Sequence, residues 1–292
     1  MAAKNAKNLK FYVLAVLGGA AVLIWLQVWR SSETGHLKTV FFDVGQGDAI
    51  FIETPARRQV LIDGGPSARI LAKLAGQMSF WDDYIDIVIL THPDADHISG
   101  LVDVLKRHHI GIFIHPGVSR PTVEYQEILK IIQEKKIPTL VARQGARVKF
   151  GDGAVAEILW PPGNLVFDAS DSNRSSVVIK FSLGSKSFLF AGDAEIREEQ
   201  GIMVFAGEYL KSDVLKIGHH GSKNASSPLF LATVRPALAV ISAGRNNRYG
   251  HPHEDVLERL EDIGSRILRT DFLGDVKILT DGLTLKISSD KI

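Results

Sequence analysis

Hydrophobic positions follow two regimes along the chain. From Phe11 to Trp29 they form one run, FYVLAVLGGAAVLIWLQVW, without a charged residue. As a helix rising about 1.5 Å per residue this run spans roughly 28 Å, close to the hydrocarbon thickness of a bilayer. The pattern predicts a transmembrane anchor at 11–29, a basic cytoplasmic tail at 1–10 and a linker at 30–36. Lys4, Lys7 and Lys10 ahead of the run orient the N-terminus inward and the remainder outside the cell, single-pass in the cytoplasmic membrane. The alternative is secretion after signal cleavage, but the run is long and WRSSETG lacks a small-residue cleavage site.

Residues 37–292 alternate strands with helices. LKTVFFDV and DAIFIET read as strands joined at Gly45-Gln46-Gly47, and RQVLID as a third ending at Asp63-Gly64-Gly65. IDIVIL is continuously apolar, which suits a strand buried on both faces, and the polar loop THPDADH and a helical ISGLVDVLKRH follow it. Helices are expected at 121–136, 195–207 and 253–264. Strands are expected near 154–160, 176–182 and 186–191, then at 213–217, 237–242, 266–270 and 275–287, with hairpin turns at Gly184-Ser185 and Asp281-Gly282. The economical packing is one α/β domain of two mixed sheets flanked by helices.

Composition narrows the chemistry. Thirty-four Lys and Arg against thirty-three Asp and Glu leave a net charge of +1, so no global basic field advertises a polyanion. The chain has no cysteine, which removes disulfides, thiolate zinc sites, iron–sulfur clusters and thiol nucleophiles together. Any metal has only histidine and carboxylate ligands.

Six of the ten histidines fall in three short clusters: His92 with His97, His219 with His220, and His251 with His253. His92, Asp94, Asp96 and His97 crowd into seven residues after a buried strand. Asp193 ends a second strand in SFLFAGDAEI, and His219-His220 end a third in DVLKIGHHGS. Packing does not explain carboxylates and imidazoles delivered by three strand ends; a metal centre does. Asp43, Asp48 and Asp63 stand at turns, from which they could orient ligands. Ser222, Lys223 and Asn224 form a loop suited to a phosphate, and Arg245 to Tyr249 a polar loop with stacking potential. His108, His109 and His115 read as surface or loop residues.

The HPDADH loop, the DVGQGD opening, the IDGG turn, the AGD strand end and GHHGS together resemble the metallo-β-lactamase-like domain of ComEC-type DNA-uptake (competence) proteins, over roughly residues 37–288. The resemblance implies an αββα sandwich behind the anchor and two divalent ions, zinc or manganese more than magnesium. It assigns His92 and Asp94 to one ion and Asp96 and His97 to the other. Asp193 would bridge, and His219 or His220 would complete the second ion's shell. Asp94 stands where the wider superfamily has a histidine, and a further histidine usual before the Asp193 strand is replaced by DASDSNRSSV, where Asn173, Ser175 or Ser176 would serve. Asp96, His220 and His251 are the implied catalytic groups; Asn173, Ser176, Ser222, Lys223 and His251 would contact substrate. The expected activity is an extracytoplasmic phosphodiesterase or nuclease acting on DNA, in partnership with a separate competence channel. The alternatives are a phosphodiesterase for a cell-surface polymer or small molecule, and a non-catalytic DNA receptor.

Overall fold

The computed structural model describes residues 2–31, 35–163 and 171–291. After the helix α1 (Ala2–Ser31), strands β1 (Leu37–Phe41), β2 (Ile50–Glu53) and β3 (Gln59–Ile62) form an antiparallel meander. Next come α2 (Arg69–Gln77), β4 (Tyr84–Ile89), α3 (Ala95–Arg107), β5 (His109–His115), α4 (Val123–Lys135), β6 (Thr139–Val141), β7 (Arg147–Lys149) and β8 (Val155–Trp160). The second half supplies β9 (Val178–Leu183), β10 (Lys186–Phe190), α5 (Ile196–Ala206), β11 (Val214–Lys216), α6 (Pro228–Val234) and β12 (Leu238–Ile241). It closes with α7 (Glu254–Asp262), β13 (Arg266–Arg269), α8 (Thr270–Leu273), β14 (Val276–Thr280) and β15 (Leu285–Ser289).

Two mixed sheets result, ordered β15-β14-β1-β2-β3-β4-β5-β6 and β13-β12-β11-β10-β9-β8-β7. Strand alternation assigns side chains to layers. Leu37, Phe41, Ile50, Ile52, Val60 and Ile62 meet Phe188, Phe190, Val214, Leu238 and Val240 between the sheets. Their neighbours turn outward: Val40, Phe51 and Leu61 pack under α2, α3 and α4, and Leu189, Leu215, Ala239 and Ile241 under α5, α6 and α7. The sandwich of two mixed sheets with outer helices is therefore the expected one. Helix α3 starts at Ala95, with Asp94 as an extended N-cap, so Asp96 and His97 sit in its first turn instead of in a loop. His109 begins and His115 ends a strand, and His108 is buried.

The membrane anchor is corrected. Among the described residues no helix is long and apolar enough to cross a membrane. The single-pass placement, N-terminus inside and domain outside, goes with it. The side chains of Lys4 and Lys7, and residues 32–34 of the expected linker, lie outside what is described.

Candidate metal centre

Loops leaving strands of both sheets converge on one end of the sandwich. Past β4 the chain runs through Thr91 and His92 into α3, β10 leads to Asp193, β11 to His219-His220, and β3 to Asp63. Two glycines permit the close stacking of these loops. A Cβ on Gly47 would fall 2.0 Å from the Asp96 carbonyl oxygen, and one on Gly100 2.0 Å from that of Gly64. The GQG and IDGG turns thus lie backbone to backbone against the first turns of α3.

The imidazoles are held at Nδ1 and turn Nε2 inward. His97 Nδ1 lies 2.8 Å from Asp63 Oδ2. That carboxylate accepts the Thr91 N–H (2.8 Å) and the Thr91 hydroxyl (2.6 Å). His220 Nδ1 lies 3.0 Å from the Ser242 carbonyl oxygen, and His219 Nδ1 2.9 Å from Glu195 Oε1. His92 Nδ1 sits 3.0 Å from the Thr91 hydroxyl and 3.4 Å from that of Ser176. Such anchoring fixes ring orientation and leaves Nε2 for a ligand's role.

Asp193 reaches across the inward nitrogens. Its Oδ1 lies 3.4 Å from His97 Nε2, and its Oδ2 lies 3.5 Å from His220 Nε2 and 3.8 Å from both His92 Nε2 and His219 Nε2. Asp96 Oδ2 is 3.2 Å from His220 Nε2 and 4.0 Å from His97 Nε2. Asp48, His97, Asp193 and His220 each offer a ligand atom, all within 4.8 Å of one another. His92 Nε2 and Asp193 Oδ1 are buried with no hydrogen-bond partner. Orphaned acceptors are costly in a protein interior, and a mixed imidazole and carboxylate set suits a divalent transition metal, so these residues fit a metal ion.

The electrostatics agree. Burial alone would push the Asp193 carboxyl up, yet the charges of His220 and His97 hold it well below the ordinary carboxylate range. Asp48 is lowered against burial by the Lys216 ammonium and by His220. Burial disfavours the charged forms of His97 and His220, but Asp193 outweighs it, with Asp63 assisting at His97 and Asp48 at His220, which is raised to about 9. His92 is pushed down by burial and by the charge of His97. These directions favour the protonated forms of His97 and His220 beside the carboxylates, a positive charge that a bound cation would supply instead.

The other singled-out residues divide. Arg120 ion-pairs with Asp94 Oδ1, which also accepts the Ser172 hydroxyl. Asn173 Nδ2 reaches 3.5 Å from His219 Nδ1, and the Ser176 hydroxyl accepts the Asp193 N–H at 3.1 Å. The His251 ring lies 5.6 Å from that of His219, and burial and the charges of His219 and His220 push it down to about 4. Ser222 is buried and accepts the Asn224 N–H at 3.4 Å, while Lys223 is exposed. Asp43 stays with its own turn, accepting the Gly45 N–H at 3.2 Å. The sequence reading missed Thr91, Glu195, Arg120 and Lys216. Lys216 left a signal, a lone charge inside the apolar strand VLKI; Arg120 left none.

The sequence profile of the Metallo-beta-lactamase superfamily matches residues 42–245. The chain is 34% identical over 288 residues to ComE operon protein 3 of Bacillus subtilis (strain 168), covering 90% of this chain and 36% of that protein. It is 31% identical over 234 residues to Competence protein ComA of Neisseria gonorrhoeae, covering 80% of this chain and 31% of the other. The chain thus spans about a third of the length of these curated relatives. In fold it is similar to the crystal structure of the metallo-beta-lactamase fold protein YhfI from Bacillus subtilis, with a TM-score of 0.55 at 11% identity over 84% of this chain and 99% of that one.

Proposed function

Because the chain belongs to the metallo-beta-lactamase superfamily, we propose that it is a metal-dependent phosphodiesterase whose substrate is DNA. The observation that carries this reading is the Asp193 carboxylate set among four histidine Nε2 atoms, none farther than 3.8 Å. The kinship with a competence protein favours DNA over other phosphodiesters.

His97, His220, Asp96 and Asp193, with Asp48 beside them, would hold one divalent ion, zinc or manganese. His92, His219 and Asp193 would hold a second, more weakly, because Arg120 and Ser172 engage Asp94. Bound there, such ions supply Lewis acidity to a phosphoryl oxygen and to the attacking water. Asp96, one third exposed where His97 is closed off, accepts a hydrogen bond from the incoming water and orients it. His251, held neutral at the mouth, donates to a non-bridging phosphate oxygen, and Asn173 steadies the same group. His220 is kept in register by the Ser242 carbonyl.

The test is an assay of the full chain, stripped and then reloaded with Mn²⁺, Zn²⁺ or Mg²⁺, on single-stranded DNA, double-stranded DNA and bis(p-nitrophenyl) phosphate. Hydrolysis of DNA with manganese or zinc supports the reading. A protein that holds metal and hydrolyses no phosphodiester overturns it in favour of a DNA receptor.

A further inference from the structure

The loop between β12 and α7 is built to display groups to solvent. The Asn247 side chain pins it from within: Nδ2 donates to the carbonyl oxygens of Gly244 (2.9 Å) and His251 (2.5 Å), and Oδ1 accepts the N–H of Tyr249 (3.1 Å) and of His251 (3.0 Å). With every donor and acceptor of that amide used, the exposed side chains of Arg245, Arg248 and Tyr249 project from a fixed frame.

A ladder of rings leads outward from the metal centre along this loop. His219 and His251 lie 5.6 Å apart, and Tyr249 stacks on His251 at 5.8 Å with planes 24° apart. The Arg248 guanidinium covers Tyr249 at 4.9 Å and hydrogen-bonds its hydroxyl at 2.7 Å.

Behind His251 opens a cleft of about 360 Å³, lined among others by Arg245, Asn246, His251, Arg269, Asp271 and Phe272. Its volume is at the low end of small-ligand pockets, large enough for one nucleoside and too small for a folded partner. Phe272 is exposed at 54%, with the Arg269 guanidinium 4.1 Å from its ring centroid. Asp271 neutralises Arg269 through two hydrogen bonds of 3.0 and 2.7 Å. Among the described residues Arg245 has no carboxylate partner within ion-pair distance, so the cleft keeps a positive edge beside the exposed Phe272 ring. Aromatic platforms beside unpaired cations are how single strands are held without sequence preference.

We infer that this cleft, walled off from the metal centre by His251, is the subsite for the base and sugar next to the scissile phosphate of a single-stranded nucleic acid. Phe272, exposed at the cleft, supplies stacking, and Arg245 holds the flanking phosphate. The inference rests on the phosphodiesterase reading and names the part of the substrate that gives it selectivity.

The experiment measures binding to the metal-stripped full chain, so that nothing is cleaved, by fluorescence anisotropy with a labelled ten-nucleotide oligothymidine and a ten-unit abasic oligomer. Wild type should bind the thymidine strand about tenfold more tightly than the abasic one, as expected for one lost stack. Phe272→Ala should erase most of that preference, and Arg245→Ala should weaken both ligands alike. Equal binding of the two oligomers by wild type, or an undiminished preference in Phe272→Ala, overturns the inference. A parallel assay of metal-loaded wild type on bis(p-nitrophenyl) phosphate, which has no base, separates the two readings. Turnover there with equal oligomer binding sinks the cleft alone, and base-dependent binding with no turnover of any phosphodiester sinks the enzyme.

Discussion

The ammonium of Lys216 and the carboxylate of Asp48 are in contact on the floor of the centre, their side chains 0% and 2% exposed. Lys216 ends β11 three residues before the histidine pair, and Asp48 also stands 3.3 Å from His220 Nδ1. The pair ties the DVGQGD loop of one sheet to the strand of the other that delivers His219 and His220. Lys216→Met leaves the Asp48 charge buried without its partner and should cost about 3–5 kcal/mol. The double variant Lys216→Met, Asp48→Leu should regain most of that loss, because no uncompensated charge remains. Urea midpoints of the single and double variants check this; a double variant as unstable as Lys216→Met would show that packing around the lysine stem, not the charge pair, holds the floor.

Asp193 and Asp94 are both carboxylates at the centre, and the structure gives them different company. Asp193 faces four imidazoles, whereas Asp94 is held by Arg120 and Ser172. Asp193→Asn should therefore abolish turnover and lower metal content by at least one ion. Asp94→Asn should leave the tighter ion in place. Elemental analysis after dialysis against trace metal checks both; full occupancy in Asp193→Asn would remove that residue from the ligand set.

The difference between these carboxylates shows where sequence runs out. Periodicity exposes the inner strands because they are buried on both faces and alternate between layers, as Leu37, Val40 and Phe41 do. It exposes the loops at strand ends, because His92, Asp96 and His97 follow an apolar run directly. It does not expose α2, whose nine residues carry no acidic first turn and no side-chain cap, or β6 and β7, three-residue edges without a buried side chain. Nor does it expose Arg120, which meets Asp94 from 26 residues away on a loop with no pattern of its own. The apolar run at 11–29 reads as a span from its hydropathy and length, and among the described residues no helix is long and apolar enough to cross a membrane.

The β14–β15 hairpin turns on Asp281, whose Oδ1 accepts the N–H of Thr284 (2.7 Å) and of Leu283 (2.9 Å). Those two hydrogen bonds lower its carboxyl to about 2. A carboxyl depressed in the folded state contributes stability above its unfolded pKa and loses it as pH falls through the folded one. Thermal stability should accordingly decline between about pH 4 and pH 2, and Asp281→Ala should flatten that decline while lowering the plateau slightly. Melting curves across this range decide it; identical slopes in wild type and variant would remove Asp281 from the acid response.

Gly100 sets how closely α3 approaches the IDGG turn. Its N–H donates to the Gly65 carbonyl at 2.9 Å, and the Gly64 N–H donates to the His97 carbonyl at 2.8 Å. A Cβ there would meet the carbonyl oxygens of Gly64 at 2.0 Å and Ser67 at 2.7 Å. Both are backbone atoms and cannot rotate aside, so Gly100→Ala must push the helix away from the turn. Because Asp96 and His97 ride on the first turn of that helix, the displacement reaches the 2.8 Å contact between His97 and Asp63. The variant should lose about 1–3 kcal/mol from overpacking, and its manganese affinity should fall more than tenfold. Gly76→Ala in α2 is the control: nothing lies within 4 Å of its Cβ, and alanine there should leave metal affinity unchanged and add about 0.5–1 kcal/mol of stability. Denaturation and manganese titration of the two variants side by side test the argument, and wild-type manganese affinity in Gly100→Ala would mean that the centre does not depend on how closely α3 is seated.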